Sequence, residues 1–328
     1  KIIRGKAMKL SRKPDCVLSD IKKQLLAITD IDSKCAKELE GVHFIRWEEG
    51  DEYGTRKFGS LITKAAVFLI VSGGLKLLFC GEEKVYGPGD LFLAGTSIPL
   101  SYEHVTEGEE PFLAIEVDID VSDIENVLEY LDEKYFQFIT NQPTKAFTVT
   151  KADANVLTVF QDLAALAESD LEERIAGQFM KRFLYLRIFM TPAGSSFSQL
   201  FRPDRVESKV RIAADLIVDH IADKQEPSVI SEQIDLKPSL YHHYFKEVMG
   251  VPPGQFRKWC RVTEARRLMI EDGLPATQAC YKLGYDNLTY FIIQFKQVFK
   301  CTPGKFIQDE LQSYPWQQLL IREGYKFK

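Results

Sequence analysis

The chain has 328 residues, 45% of them hydrophobic and 27% charged, with a net charge of −5. That length predicts about two domains, and the composition excludes fibrous and intrinsically disordered classes. No apolar run approaches the roughly 18 residues a membrane-spanning helix needs, and Lys1-Ile-Ile-Arg-Gly-Lys6 leads into no secretory apolar core, so a cytoplasmic protein without membrane contact is expected.

In chain order, the first predicted element is a helix over 15–40, with Val17, Leu18, Ile21, Leu25, Ile28 and Ile31 on one face. From 41 to 118 the pattern changes to short strands. Val42–Trp47 alternates, Ala65–Ser72 is apolar, and Gly73-Gly74 breaks it before Leu75–Cys80. A turn at Gly81-Glu82-Glu83 leads to Lys84–Tyr86, Gly87-Pro-Gly-Asp90 leads to Leu91–Ala94, and Phe112–Asp118 ends the series. Many short strands with Gly and Pro turns predict a small β-barrel or sandwich.

Helices then take over. Ser122 is a candidate N-cap for 123–135, and 152–168 with 171–190 reads as a helical hairpin whose second arm carries spare apolar surface. Thr191-Pro-Ala-Gly-Ser-Ser196 and Phe201-Arg-Pro-Asp204 are turn-rich and mark the expected boundary. Beyond it, helices are predicted over 206–223, 228–234, 238–249, 253–272, 276–283 and 288–299, with Gly250 and Gly273 as stops and Asn287 as a cap.

Two of these segments repeat at an offset of 50. Phe245/Phe295, Lys246/Lys296, Val248/Val298 and Pro253/Pro303 are identical pairs, and Ser239/Thr289, Tyr241/Phe291 and Glu247/Gln297 are close ones. Each copy is a short helix behind another short helix and a turn, so one helix-turn-helix unit is used twice. Charge follows the repeat. Residues 1–204 hold 24 Lys and Arg against 32 Asp and Glu, whereas 237–305 hold 11 against 5. Positive charge therefore lies where phosphate neutralisation needs it, and double-stranded DNA is the expected partner.

The buried face is expected to hold Leu240, Tyr241, Tyr244 and Phe245 in copy one, and Tyr290, Phe291 and Phe295 in copy two. The DNA-facing set is then Ser239, His242, His243 and Lys246, with Thr289, Ile292, Ile293 and Lys296 in the second copy. Arg257 and Arg261 on the connecting helix, and Asn287, complete it. His, Ser and Thr read hydrogen-bonding groups, while Ile touches only a thymine methyl, so copy one is expected to specify and copy two to hold. The plainer alternatives are a solvated His242-His243 pair and an Ile292-Ile293 pair packed against protein.

Residues 206–312 resemble the DNA-binding domain of the AraC/XylS family. The matching positions are Ser239, Phe245-Lys246, Pro253, Phe256, Glu264-Ala-Arg-Arg-Leu-Met269, Leu283-Gly-Tyr-Asp286, Tyr290-Phe291, Phe295-Lys296, Phe299 and Pro303. His243 and Ile293 stand where that family often has Arg, Lys300 where it often has Gly, and Lys237 where it has a Ser-type cap. Phe68–Lys76, Tyr86-x-Pro-Gly-Asp90 and Pro111–Asp118 resemble the cupin-like domain of one branch of these regulators.

The implied architecture is α+β. A cupin-like β-barrel with flanking helices occupies 1–200, with a helical subdomain at about 121–190. An all-α domain with two helix-turn-helix units joined by a long helix occupies 201–312, and 313–328 is a tail. The resemblance also implies activation and contact with RNA polymerase. A homodimer is expected because half-sites are commonly paired, through the helices at 122–135 and 171–190.

The first 200 residues hold only His43 and His104 as histidines, with Leu100 after Pro99 where a ligand histidine of a cupin enzyme could stand. No metal, cofactor or catalytic set is expected. The expected function is transcription control by a small molecule in the barrel, whose candidate contacts are Trp47, Phe68, Ile70, Phe92, Tyr102 and His104. Two alternatives remain: an N-terminal half that only dimerises or binds a protein, and a cupin enzyme with a DNA-binding module. The six cysteines show no metal spacing. Cys260, Cys280 and Cys301 read as small buried hydrophobes, and Cys16 and Cys35 as candidate thiol sensors.

Overall fold

A computed structural model describes residues 12–29, 39–48, 58–79, 82–105, 110–131, 143–167, 173–223 and 227–312. The predicted tail 313–328, Cys35, Cys80, the Gly81 turn and the far end of the 123–135 helix lie outside the described residues.

Helix α1 spans Pro14–Ile28 and buries Val17, Ile21 and Leu25. It stops well short of residue 40. The Thr29 hydroxyl and amide both donate to the Leu25 carbonyl, and Thr29 leaves helical geometry at φ −104°. Eight strands follow: β1 Val42–Trp47, β2 Phe58–Ile62, β3 Ala66–Ser72, β4 Gly74–Phe79, β5 Glu82–Tyr86, β6 Asp90–Ala94, β7 Pro99–Val105 and β8 Phe112–Asp118. After α2, Val121–Glu129, the strand β9 at Phe147–Lys151 closes the β-rich part. Strands β2, β7 and β9 escaped the sequence reading.

All pairings are antiparallel. One sheet has the order β1-β8-β3-β6-β9 and the other β2-β7-β4-β5. Residues of both sheets line one interior cavity, so the sheets face each other across it. Among the described residues the strands form two sheets. Central strand β3 is apolar along its length because α1 covers one face and the cavity and core take the other. Strand β4 alternates instead. Leu75 and Leu77 are buried, while Lys76 meets Glu83 and Glu103 at 3.2 and 3.7 Å.

Helix α2 is capped by Asp120, not Ser122. Asp120 accepts from the Ser122 amide and hydroxyl and from the Asp123 amide, and its carboxylate is held below its ordinary pKa mainly by the Ser122 hydroxyl. Helices α3, Ala154–Leu166, and α4, Glu173–Phe189, pack on each other, with α1 against α3. The expected boundary loop is a buried helix, α5, Pro192–Ser198, capped by the Thr191 hydroxyl. Pro192 suits a first helical turn, and a Cβ at Gly194 would fall 1.9 Å from the Ile188 carbonyl, so only glycine fits there.

The remainder is helical: α6 Val206–Asp219, α7 Pro227–Gln233, α8 Pro238–Met249, α9 Pro253–Ile270, α10 Ala276–Lys282, α11 Leu288–Phe299 and α12 Pro303–Gln312. One apolar cluster runs from Val17 through the sheets to Phe245, Phe256 and Cys260, and a second gathers Val262 to Phe295. Cys260 and Cys280 are buried; Cys16 is exposed, and Cys301 is only half-buried because it lies in the turn before α12.

Candidate DNA interface and interior cavity

Helices α8 and α11 are second helices of matching helix-turn-helix units, α7–α8 and α10–α11, bridged by α9. Their buried faces share the pairs Tyr241/Phe291 and Phe245/Phe295, to which one adds Val248 and Met249 and the other Gln294. Ser239, His242, His243 and Lys246 are exposed, as are Thr289, Ile293 and Lys296. Three expectations fail. Leu240 and Tyr290, placed inward by the sequence reading, are 42% and 57% exposed, and Ile292 packs partly against the second core. Each helix leans on its partner along the stripe through Phe245 or Phe295, which turns position 240/290 outward and 292 inward. Comparing the copies was the available signal, because Leu240 and Tyr290 share no chemistry while the buried pairs do.

Three further candidates also make bonds within the fold. Arg261 donates from Nε to the Ile221 carbonyl at 2.7 Å and from an Nη to the Asp223 carbonyl at 2.9 Å, and stacks over Tyr285 at 5.4 Å. It ties the segment after α6 to α9. Arg257 donates to the same Asp223 carbonyl at 3.3 Å. Asn287 spends its side-chain oxygen on the Thr289 and Tyr290 amides as the α11 cap. Also on α9, Arg267 is tied to Glu264 and Asp272, and Lys258 to Gln297. His243 lies 3.5 Å from Glu247.

Copy one is bonded to the N-terminal half. The Lys145 ammonium donates to the Glu247 carbonyl at 2.6 Å, and the Ala146 amide to the Val248 carbonyl at 3.0 Å. Helix α9 packs against β2 and β7. The Thr96 hydroxyl and Ser97 amide both reach Asp215 of α6, at 2.6 and 3.2 Å.

Between the sheets lies a cavity of about 270 Å³. Phe68, Phe92, Tyr102 and His104 line it. The sequence reading missed Leu75, Leu77, Leu100, Phe112, Glu116 and Phe147; alternation along β4 and β8 was the signal for Leu75, Leu77, Phe112 and Glu116, while β7 and β9 gave none. Trp47 and Ile70 do not reach it. Trp47 stands behind His104, with ring centroids 4.9 Å apart, and Ile70 is wholly buried where β3 meets Ala114. His104 is 4% exposed, and burial lowers its pKa to about 4, so it is neutral at pH 7. Burial raises the Glu116 carboxyl above its ordinary range. His43 pairs instead with Asp118, at 3.1 Å. Among the described residues no three His, Cys, Asp or Glu side chains converge as a metal site would require, and no helix is long and apolar enough to cross a membrane.

Paired helix-turn-helix units carried by a two-sheet domain with an apolar interior define a class of helix-turn-helix protein. Residues 38–196 match the AraC-type transcriptional regulator N-terminus and 230–309 a helix-turn-helix domain, and the chain belongs to the AraC family of transcriptional regulators. It is 28% identical over 102 residues to the arabinose operon regulatory protein of Salmonella typhimurium, covering 31% of this chain and 36% of that protein, so it spans about a third of that relative's length. It is 21% identical over 145 residues to the transcriptional activator RhaS of Escherichia coli O139:H28, covering 44% and 51%, and 23% identical over 238 residues to the transcriptional regulator GadX of Escherichia coli O6:H1, covering 72% and 82%. In fold it is similar to ToxT of Vibrio cholerae strain SCE256 with an unsaturated fatty acid bound: TM-score 0.50, 14% identity, 81% of this chain and 94% of that one.

Proposed function

We propose that this chain reads DNA sequence with α8 and α11 and regulates transcription, as an activator, under control of a small molecule held between the sheets. The observation that carries the reading is the pair of exposed helix faces at the same register of two units, in a segment with 11 basic and 5 acidic residues. The relatives' names support regulation, and that of RhaS supports activation. The ligand bound in ToxT supports a ligand site in this fold.

Control requires that the ligand favour one arrangement over another. A short route is available. Phe147 lines the cavity, and its neighbour Ala146 is hydrogen-bonded to the end of α8. Strand β7 contributes Leu100, Tyr102 and His104 to the cavity and packs against α9 from outside. Reorganisation around a ligand therefore reaches copy one directly.

The unit works as a homodimer in this reading. Phe179, Phe183 and Met190 of α4 and its end are 67%, 39% and 46% exposed, an apolar stripe at helical spacing for a second subunit. The cupin-like barrel, the 1–200 and 201–312 domains and RNA polymerase contact belong to the same proposal.

Selection from a random DNA library followed by footprinting tests it. A single enriched motif, bound with steep salt dependence, is the expected result. Equal affinity for scrambled competitor DNA would remove the proposal.

A further inference from the structure

The cavity's chemistry says what kind of molecule fits. Its wall is built from Leu75, Leu77, Phe68, Phe92, Phe112 and similar side chains. The polar side chains there are Thr63, Tyr102, His104 and Glu116, and no Lys or Arg among the described residues joins them. Thr63 Oγ1 already accepts from the Ile98 amide at 3.2 Å. His104 is different. It is held by aromatic rings, stacked on Trp47 and 4.4 Å from Phe112, yet both ring nitrogens are sealed from solvent without a hydrogen-bond partner. Leaving buried polar atoms unpaired costs about 1–3 kcal/mol each, so such a group calls for an explanation.

The volume, about 270 Å³, exceeds the ~150 Å³ of an apolar cavity that takes up benzene and lies just below the range of drug-sized pockets. A polyol would surrender many hydrogen bonds to an apolar wall. A carboxylate would find no Lys or Arg among the described lining residues and would face Glu116, and an unpaired buried charge is more costly than an unpaired amide.

We propose that the cavity takes an uncharged, mainly apolar molecule, held by its hydrocarbon wall. This rests on the small-molecule reading above and narrows it. The His104 nitrogens are closed off from the cavity as well as from solvent, so its ring serves as wall.

The test is calorimetric titration of the full chain with octan-1-ol, octanoate, octylamine and L-arabinose. Octan-1-ol is expected to bind one per chain, at least about tenfold tighter than octanoate or octylamine, the discrimination of a site without a paired charge; L-arabinose is expected to give no binding heat. His104→Leu should leave the octan-1-ol affinity within about twofold while raising the melting temperature of the unliganded protein, since it removes two unpaired buried nitrogens. A loss of about tenfold in octan-1-ol affinity would mean that the imidazole holds the ligand and would overturn an apolar wall as its anchor. Leu77→Trp, or the milder Leu77→Phe if the first does not fold, should block octan-1-ol. Tighter binding of octanoate, octylamine or L-arabinose overturns the ligand class and leaves small-molecule control standing. Binding of none of the four overturns the inference, and footprinting then decides separately whether the DNA-reading proposal survives.

Discussion

The two helix-turn-helix units share a framework and differ in what they are built on. Copy one packs Tyr241, Phe245 and Phe256 into the same apolar cluster as the sheets, and the last carbonyls of α8 are taken by Lys145 and Ala146. Copy two keeps its own core, a run of rings from Phe291 through Phe295 and Phe299 to Phe306, with Tyr285 donating to Gln294 at 2.8 Å. Its Gln297, Val298 and Lys300 face Pro99 and Ser101 of the sheets across a cleft. The helix ends differ too. Helix α8 has no side-chain cap at Lys237 and stops at Gly250 with φ +81°, whereas α11 is capped by Asn287 and stops at Lys300 with φ +62°. Duplicated units can thus keep one fold while one copy becomes part of a neighbouring domain.

The largest effect should come from the cores. Phe245→Ala and Phe295→Ala should each cost about 3–5 kcal/mol. Hydrogen exchange should show Phe245→Ala loosening the 206–219 helix and the 145–151 segment, and Phe295→Ala loosening only 276–307. Confinement of the Phe245→Ala effect to its own unit would break the comparison.

Arg261→Ala removes two charge-assisted bonds to carbonyls and should cost about 2–3 kcal/mol in thermal unfolding. Affinity for DNA should fall only as far as the folded fraction falls. A variant of undiminished stability with weaker binding to all DNA would return Arg261 to the phosphate-contacting set. Next comes base reading. Gel-shift of His243→Ala against the selected motif should show a loss of about 1–3 kcal/mol, with non-specific affinity kept, and Ile293→Ala a smaller loss. Equal losses would erase the division into a specifying and a holding unit.

The helix ends give the smallest changes. Asn287→Ala should destabilise by about 1 kcal/mol. Lys300→Gly should stabilise by up to about 1 kcal/mol, because a side chain in the left-handed region is penalised, and Gly250→Ala should cost about as much for the same reason. Chemical denaturation of the four proteins measures all three.

Much of this architecture was legible in sequence. The 50-residue repeat, Pro at helix starts, Gly250, Gly273 and the Asn287 cap located the helices from 206 to 299 within a few residues, since these are local backbone preferences, while the helix Pro303–Gln312 was missed. Strands β2, β7 and β9 were not legible, because β7 interleaves Ser101, Glu103 and His104 with its apolar residues, and β9 alternates Thr and Lys with Val. The 192–204 segment read as a loop from its Gly, Ser and Pro content, yet α5 is buried, because α4 and the sheet close over it and Gly194 permits the close approach.

The candidate sites divide the same way. Sequence by itself determined the duplicated units, the charge separation, the apolar strands and the exposure of Ser239, His243 and Lys246, all of which follow from spacing and chain-local chemistry. Only the tertiary structure decided that Leu240 and Tyr290 face outward while Ile292 packs partly inward, that Arg261 bonds the carbonyls of Ile221 and Asp223, and that His104 sits in an apolar wall with unpaired nitrogens. Those outcomes depend on which distant surface closes over each side chain, and periodicity within one helix or strand carries no record of that partner.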